Sequence, residues 1–317
     1  GGKTRFSGKI QTMKIIYRFI LLCLFVIIGS RIQADEVILY SSFESGNWDI
    51  WMIHPDKSNA RILINSPLDE KAPALSPDGA YIAYHDNRGS VRIAGLDGSS
   101  SDVLAQSPGL NSYPCWTPDG AGIVYCSRPS PTKEAAGIFY NKIQPVAAAT
   151  PITLVEPMES NNFPALSPDG KRLVFSRFLA QEKPLKLPRE PLIEELYILD
   201  ITSGKISQIT NLKKNSAHPR WAPDGAKIVF SSNAAGSYDL WLVDIGEKIS
   251  EPRRLTEDPG FEGFPAWSPD GEKIVFISSR TGNMELWILD VSSGGWTQLT
   301  NSEKKRDSME PCWGRLP

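Results

Sequence analysis

The sequence predicts an all-β fold: a six-bladed β-propeller of four-stranded antiparallel blades, the last blade closed by both ends of the chain. Three observations carry that expectation. A phrase of the form Pro-x-x-x-Pro-Asp-Gly starts at Pro73, Pro114, Pro164, Pro219 and Pro265, and a truncated copy, Pro311-Cys-Trp-Gly314, follows. The starts are 41, 50, 55, 46 and 46 residues apart, which fits one four-stranded blade per repeat. Between copies, short apolar runs alternate with turn residues, and Gly and Pro number 25 each among 317 residues, above average usage.

Each element of the repeat has a local cause. In the Pro-Asp-Gly turn, Pro presets φ, Asp bonds its own backbone, and Gly takes the left-handed conformation that a bulged hairpin needs. That turn joins the first strand to the second. The second strand alternates and ends in an aromatic: Tyr81-Ile-Ala-Tyr84, Ile123-Val-Tyr125, Leu173-Val-Phe175, Ile228-Val-Phe230 and Ile274-Val-Phe276. A third strand reads Leu196-Tyr-Ile-Leu-Asp200, Leu240-Trp-Leu-Val-Asp244 and Leu286-Trp-Ile-Leu-Asp290. The fourth lies near Gln208-Ile-Thr210, Arg254-Leu-Thr256 and Gln298-Leu-Thr300. The sixth phrase supplies only a first strand, whereas Val37-Ile-Leu-Tyr40 and Asp49-Ile-Trp51 match second and third strands, so the two ends share a blade. Such closure removes exposed sheet edges.

Residues 1–34 read as a leader and secretory signal peptide. From Met13, the basic Lys14 and Arg18 precede an apolar run over residues 19–28, and Ile32-Gln33-Ala34 offers a cleavage site. Arg31 interrupts the run well short of the roughly 20 residues a membrane span needs, so no stable span remains after cleavage. Residues 35–317 are then the propeller, periplasmic or secreted. Three cysteines remain, Cys115, Cys126 and Cys312, an odd number that is no disulfide framework. Cys115 and Cys126 flank one tight turn and are either a cross-strand pair or two core thiols. Lys and Arg number 34 against 36 Asp and Glu, a net charge of -2 that excludes a protein coating nucleic acid.

The Pro-x-Trp-Ser-Pro-Asp-Gly phrase, the aromatic-ended second strand and the Leu-Trp-x-x-Asp third strand resemble the TolB-like propeller family, over almost all of residues 35–317. TolB itself carries an α/β domain ahead of its propeller. Nothing between Ala34 and Val37 encodes one, so a stand-alone propeller is expected. The resemblance implies a non-enzymatic binding scaffold for an envelope protein or peptide, a peptidoglycan-associated-lipoprotein-like partner among them.

The residue before the first Pro of each repeat falls where the innermost strand enters the ring. Reading round, it is Ala72, Tyr113, Phe163, His218, Phe264 and Glu310. These positions vary and are mostly large, so Tyr113, Phe163, His218, Phe264 and Glu310 are candidate binding residues at the channel mouth, where aromatic anchors supply most of the energy. The other reading is that the aromatics plug the channel. On the same face, Arg88, Arg128, Arg177 and Arg280 start the second-to-third-strand loops and make a locally basic rim suited to an anionic partner. The longest insertions, over residues 128–137 and 178–194, belong to that rim. The turn residues Asp78, Asp119, Asp169, Asp224 and Asp270 form an acidic ring on the far face, read as turn chemistry.

No Gly-x-Ser-x-Gly elbow and no His-Glu-x-x-His zinc motif occurs, and no catalytic residue, cofactor or metal is assigned. Related propellers act as oligogalacturonide lyases with histidine-held metal. Here His54 ends a third strand and points away from His85 and His218, so no three-His site forms. A carbohydrate-active alternative remains, with His218 and Glu310 as acid and base.

Overall fold

A computed structural model describes residues 35–97, 102–106, 110–128, 135–143, 150–179, 193–302 and 307–317. The leader and signal assigned to residues 1–34 lie outside the described residues, as do residues 129–134 and 180–192 of the two long rim loops. Every regular element among the described residues is a strand, and the strands form six four-stranded antiparallel sheets. Blades I to VI have as innermost strands Glu70–Leu75, Asn111–Trp116, Asn161–Leu166, Ser216–Trp221, Glu262–Trp267 and Ser308–Arg315. In blade VI, Ser308–Arg315 pairs with Glu36–Ser42, which continues to Asp49–Ile53 and Arg61–Ile64. The expected sharing of one blade by both chain ends is therefore present.

In every blade the ladder between the first two strands breaks at the same place. The register jumps between Lys71 and Ala74, Ser112 and Cys115, Asn162 and Ala165, Ala217 and Arg220, Gly263 and Ala266, and, in blade VI, across Leu39 and Ser41. The reason is the proline, which has no N–H to give the ladder and drives the chain into a bulge. The residue before it takes a left-handed conformation in all six blades: Ala72, Tyr113, Phe163, His218, Phe264 and Glu310 have φ between 50 and 55°. A side chain costs about 1 kcal/mol or more there, so a strain repeated six times surrounds the central axis.

The Pro-Asp-Gly turns do what their chemistry predicts. Asp78 Oδ1 accepts from Ser76 Oγ at 2.5 Å and from the Ala80 N–H at 3.1 Å, and Asp169 and Asp270 repeat the pattern. Gly225 sits at φ 68°, and a Cβ there would lie 3.6 Å from Pro168 of the preceding blade, an ordinary contact. Gly225→Ala should therefore lower stability by about 1–2 kcal/mol through backbone conformation alone, read as a shifted urea midpoint with an unchanged slope.

Six apolar clusters fill the junctions between neighbouring blades, one per junction among the described residues. At their centres lie the second-strand aromatics; Phe175, Phe230 and Phe276 are fully buried, each stabilising by about 1.5–3 kcal/mol. The repeat's tryptophans staple blades together: Trp116 Nε1 donates to Ala74 O at 2.9 Å, Trp221 Nε1 to Ala165 O at 3.2 Å and Trp267 Nε1 to Arg220 O at 3.3 Å. The fourth strands end earlier than the sequence suggests, at Gln208, Arg254 and Gln298. The following threonines replace the ladder with side chains: Thr210, Thr256 and Thr300 Oγ1 accept from the Leu196, Leu240 and Leu286 N–H groups at 2.8–2.9 Å.

Candidate functional site

The bulges aim the six pre-proline side chains at the axis, and four of them meet. The His218 ring stacks on Phe264 at 3.6 Å between centroids, Phe163 lies 4.2 Å from His218 and 4.4 Å from Tyr113, and His85 approaches Tyr113 at 5.4 Å. Tyr113, Phe163, His218 and Phe264 thus form one aromatic plug. Above it opens a funnel of about 770 Å3, floored by these four rings. Its walls carry the amides of Asn87, Asn111, Asn162 and Asn215, the buried Glu194, and the apolar Leu110, Phe178 and Phe261. Leu110 is 51 % exposed, an apolar side chain presented at the rim.

Glu310 is not in the funnel. It lines a second cavity, on the turn side of the plug, together with Ala72, and among the described residues only Tyr113 and Phe264 border both. Its carboxylate is occupied locally. The bulge frees the Ala72 N–H, which donates to Glu310 Oε2 at 2.8 Å and Ser41 Oγ at 3.1 Å, and Ser41 Oγ donates to the same carboxylate oxygen at 3.0 Å. Blade II uses His85 in the equivalent way, its Nδ1 accepting from the Tyr113 N–H at 3.4 Å.

The electrostatics favour neutral walls. Burial pushes the His85 and His218 imidazoles down to about 4 and about 3, so both are uncharged at neutral pH. His218 Nδ1 lies 3.3 Å from Ser231 Oγ, and the ring contacts no carboxylate among the described residues. Burial likewise raises Glu194 to about 7, against the bond its Oε1 accepts from Ser176 Oγ at 2.5 Å, and pushes the Cys126 thiol up to about 12, which makes it a poor nucleophile. His218 and Glu310, the acid and base of the carbohydrate-active alternative, face different cavities.

The four rim arginines behave differently from one another. Arg177 bonds Glu159 at 2.9 Å and Asn161 Oδ1 at 2.8 Å and lies over the Phe175 and Tyr197 rings. Arg280 bonds Asp258 at 2.8 Å and lies over Trp287 and Trp296. Both charges are spent on structural partners, so the basic rim reduces to the exposed Arg88 and Arg128, of which Arg128 lines the funnel. Cys115, Cys126 and Cys312 are free, and Cys115 and Cys126 are not register partners: Cys115 faces Val124, and Cys126 faces Ser112. Among the described residues no group of three or more His, Cys, Asp or Glu is placed to hold a metal ion. Glu194, Leu110 and the funnel asparagines are not visible from the repeat because they lie outside the repeated phrase. The one signal for the asparagines is that Asn111, Asn162 and Asn215 lie two, one and three residues before a mouth position, whereas Asn87 has no such mark.

The family model for the TolB beta propeller domain matches residues 164–313. The chain is a TolB-like six-bladed propeller. The solved structure of a putative TolB from Agrobacterium tumefaciens superposes on this TolB-like chain with a TM-score of 0.65 at 19 % identity, covering 90 % of this chain and 99 % of that one. An oligogalacturonate lyase in complex with manganese superposes less well, with a TM-score of 0.56 at 16 % identity over 84 % of this chain and 74 % of the lyase. In sequence, a segment of 76 residues is 37 % identical to dipeptidyl-peptidase 5 of Porphyromonas gingivalis, covering 24 % of this chain and 10 % of that protein. The match thus spans about a tenth of the curated relative. Among the described residues no helix is long and apolar enough to cross a membrane.

Proposed function

We propose that the chain is an exported, non-enzymatic scaffold, with residues 1–34 a removed leader and residues 35–317 the working domain, that grips a protein or peptide partner in the funnel. The partner is an envelope protein met in the periplasm or outside the cell. The observation that carries this reading is the funnel itself: an aromatic floor, amide walls and an exposed apolar rim residue in a cavity of about 770 Å3. That combination suits an inserted loop or chain end, whose apolar side chain meets the floor and whose peptide groups meet the asparagines.

The test separates rim from floor. Leu110→Asp leaves the plug and core untouched, and should weaken capture of a periplasmic partner about 30-fold, the cost of a hot-spot residue. Tyr113→Ala with Phe264→Ala should abolish capture, with circular dichroism confirming the fold. Full retention of every partner by both variants would remove the funnel as the site. Turnover of uronate oligomers that is lost in His218→Ala would favour the carbohydrate-active reading instead.

A further inference from the structure

The residue after each first proline forms a second ring, on the turn side of the plug. It reads Ala74, Cys115, Ala165, Arg220, Ala266 and Cys312, and all six line one cavity of about 450 Å3. Where the upper ring is large at every position but Ala72, this one is small at every position but Arg220. Ala74 stands three blades from Arg220, directly across the channel, flanked by the two thiols.

Arg220 makes a single hydrogen bond, from Nη1 to Pro219 O at 2.9 Å, and pairs with no carboxylate among the described residues. Arg220 lines the cavity, and the Nε–Nη2 edge of a guanidinium is the fork that matches two oxygens of an oxyanion. Of the other charges on the cavity, Arg315 pairs with Glu36 at 3.5 Å, and the Glu310 carboxylate, held by Ala72 and Ser41, feels the Arg220 charge without a direct bond to it. Walls of Trp116, Trp221, Trp267 and Trp313 lower the local dielectric and strengthen any charge pairing made between them. A half-buried guanidinium in a cavity edged by alanines and thiols has the chemistry to meet an oxyanion.

We infer that this lower channel binds a small oxyanion, a carboxylate or a phosphate, on Arg220, entering from the face of the Pro-Asp-Gly turns. The site is separate from the funnel and does not depend on the protein-binding reading.

The two channel thiols provide the measurement. Iodoacetate carries the carboxylate that Arg220 would hold beside Cys115 and Cys312, whereas iodoacetamide is neutral and otherwise similar. The ratio of their labelling rates, followed by peptide mass spectrometry on the folded chain, cancels any change in thiolate fraction. In Arg220→Gln this ratio should fall about tenfold at Cys115 and Cys312, the worth of one charge-assisted hydrogen-bond pair. It should stay unchanged at the same two thiols in the urea-unfolded chain, which serves as the control. Arg220→Lys, keeping charge but losing the fork, should lie between, and thermal melts confirm that each variant is folded. In the unmodified chain, sodium acetate or inorganic phosphate should slow labelling of both channel thiols, and the one that protects at lower concentration identifies the ligand class. An unchanged ratio in Arg220→Gln, or no protection by either anion, would overturn the inference.

Discussion

Raising the pH from about 6 to about 8 is expected to destabilise the propeller by several kcal/mol, the reverse of what ordinary surface carboxylates produce. The cause is three buried glutamates, Glu70, Glu194 and Glu262, each no more than 4 % exposed and each raised to about 7 by desolvation. Glu70 Oε2 and Glu262 Oε2 have no hydrogen-bond partner among the described residues, as suits carboxyls that remain protonated. A carboxyl whose folded value lies above its unfolded 4.5 contributes stability that is complete below about 4.5 and disappears as the pH climbs through 7. Each unit of difference is worth about 1.4 kcal/mol. The buried imidazoles act in the opposite sense. His85 and His218, lowered to about 4 and about 3, contribute stability that is present above 6.5 and lost as the pH falls toward those values. The turn aspartates, such as Asp78 and Asp169, are held below the usual carboxylate range by bonds from their own turns, and add a further loss at still lower pH. Stability should therefore peak between about pH 4.5 and 6.5 and fall on both sides. Urea melts across the range test this. Glu194→Gln should flatten the alkaline limb, and His218→Leu the acid one. A curve that rises steadily to pH 8 would mean that the three glutamates are ionised in the folded protein.

The fold was legible because its cause is local and repeated. Each Pro-Asp-Gly turn fixes a hairpin by φ and by a side-chain bond, so five copies place ten strands without any long-range information. The site was legible only in part. The mouth positions could be found by counting back one residue from each proline, but the left-handed backbone that turns Tyr113, Phe163, His218 and Phe264 inward leaves no mark on residue type. For the same reason the sequence put Glu310 at the same channel mouth as His218, whereas its carboxylate, bonded to the Ala72 N–H, lies on the other side of the plug. Arg177 and Arg280 looked alike as rim charges because their partners, Glu159 and Asp258, lie some twenty residues back and meet them only through blade packing. Arg220 was within reach of the same counting, one residue beyond the proline instead of one before it. The other five positions of that ring are alanine or cysteine, residue types that carry no binding signal.

Deleting residues 308–317 is expected to abolish cooperative folding. This strand supplies the inner edge of blade VI, pairing Leu39 with Cys312 and Ile38 with Trp313, and it buries Trp313 against Ile38, Tyr40, Val275 and Ile277. Losing a buried Trp costs about 3–5 kcal/mol and each ladder bond about 1 kcal/mol, so the strand carries as much as the whole 5–15 kcal/mol by which a domain is usually stable. Its loss would also remove one of the two acceptors of the Ala72 N–H and the Arg315 carbonyl that packs under the Gly79 turn. The truncated chain should show no sharp urea transition, and a synthetic peptide of residues 307–317 added in trans should restore one, since the groove between blades V and I is otherwise complete. A truncated chain that melted at the original midpoint would show that five blades and an open edge suffice. Complementation has a second use, because the same strand carries Glu310 of the upper ring and Cys312 of the lower one. A peptide bearing Glu310→Gln would keep the contact to Ala72 while removing the charge from the lower channel. If Arg220 holds an oxyanion there, that uncharged peptide should raise the iodoacetate preference at Cys115 above its value in the intact chain.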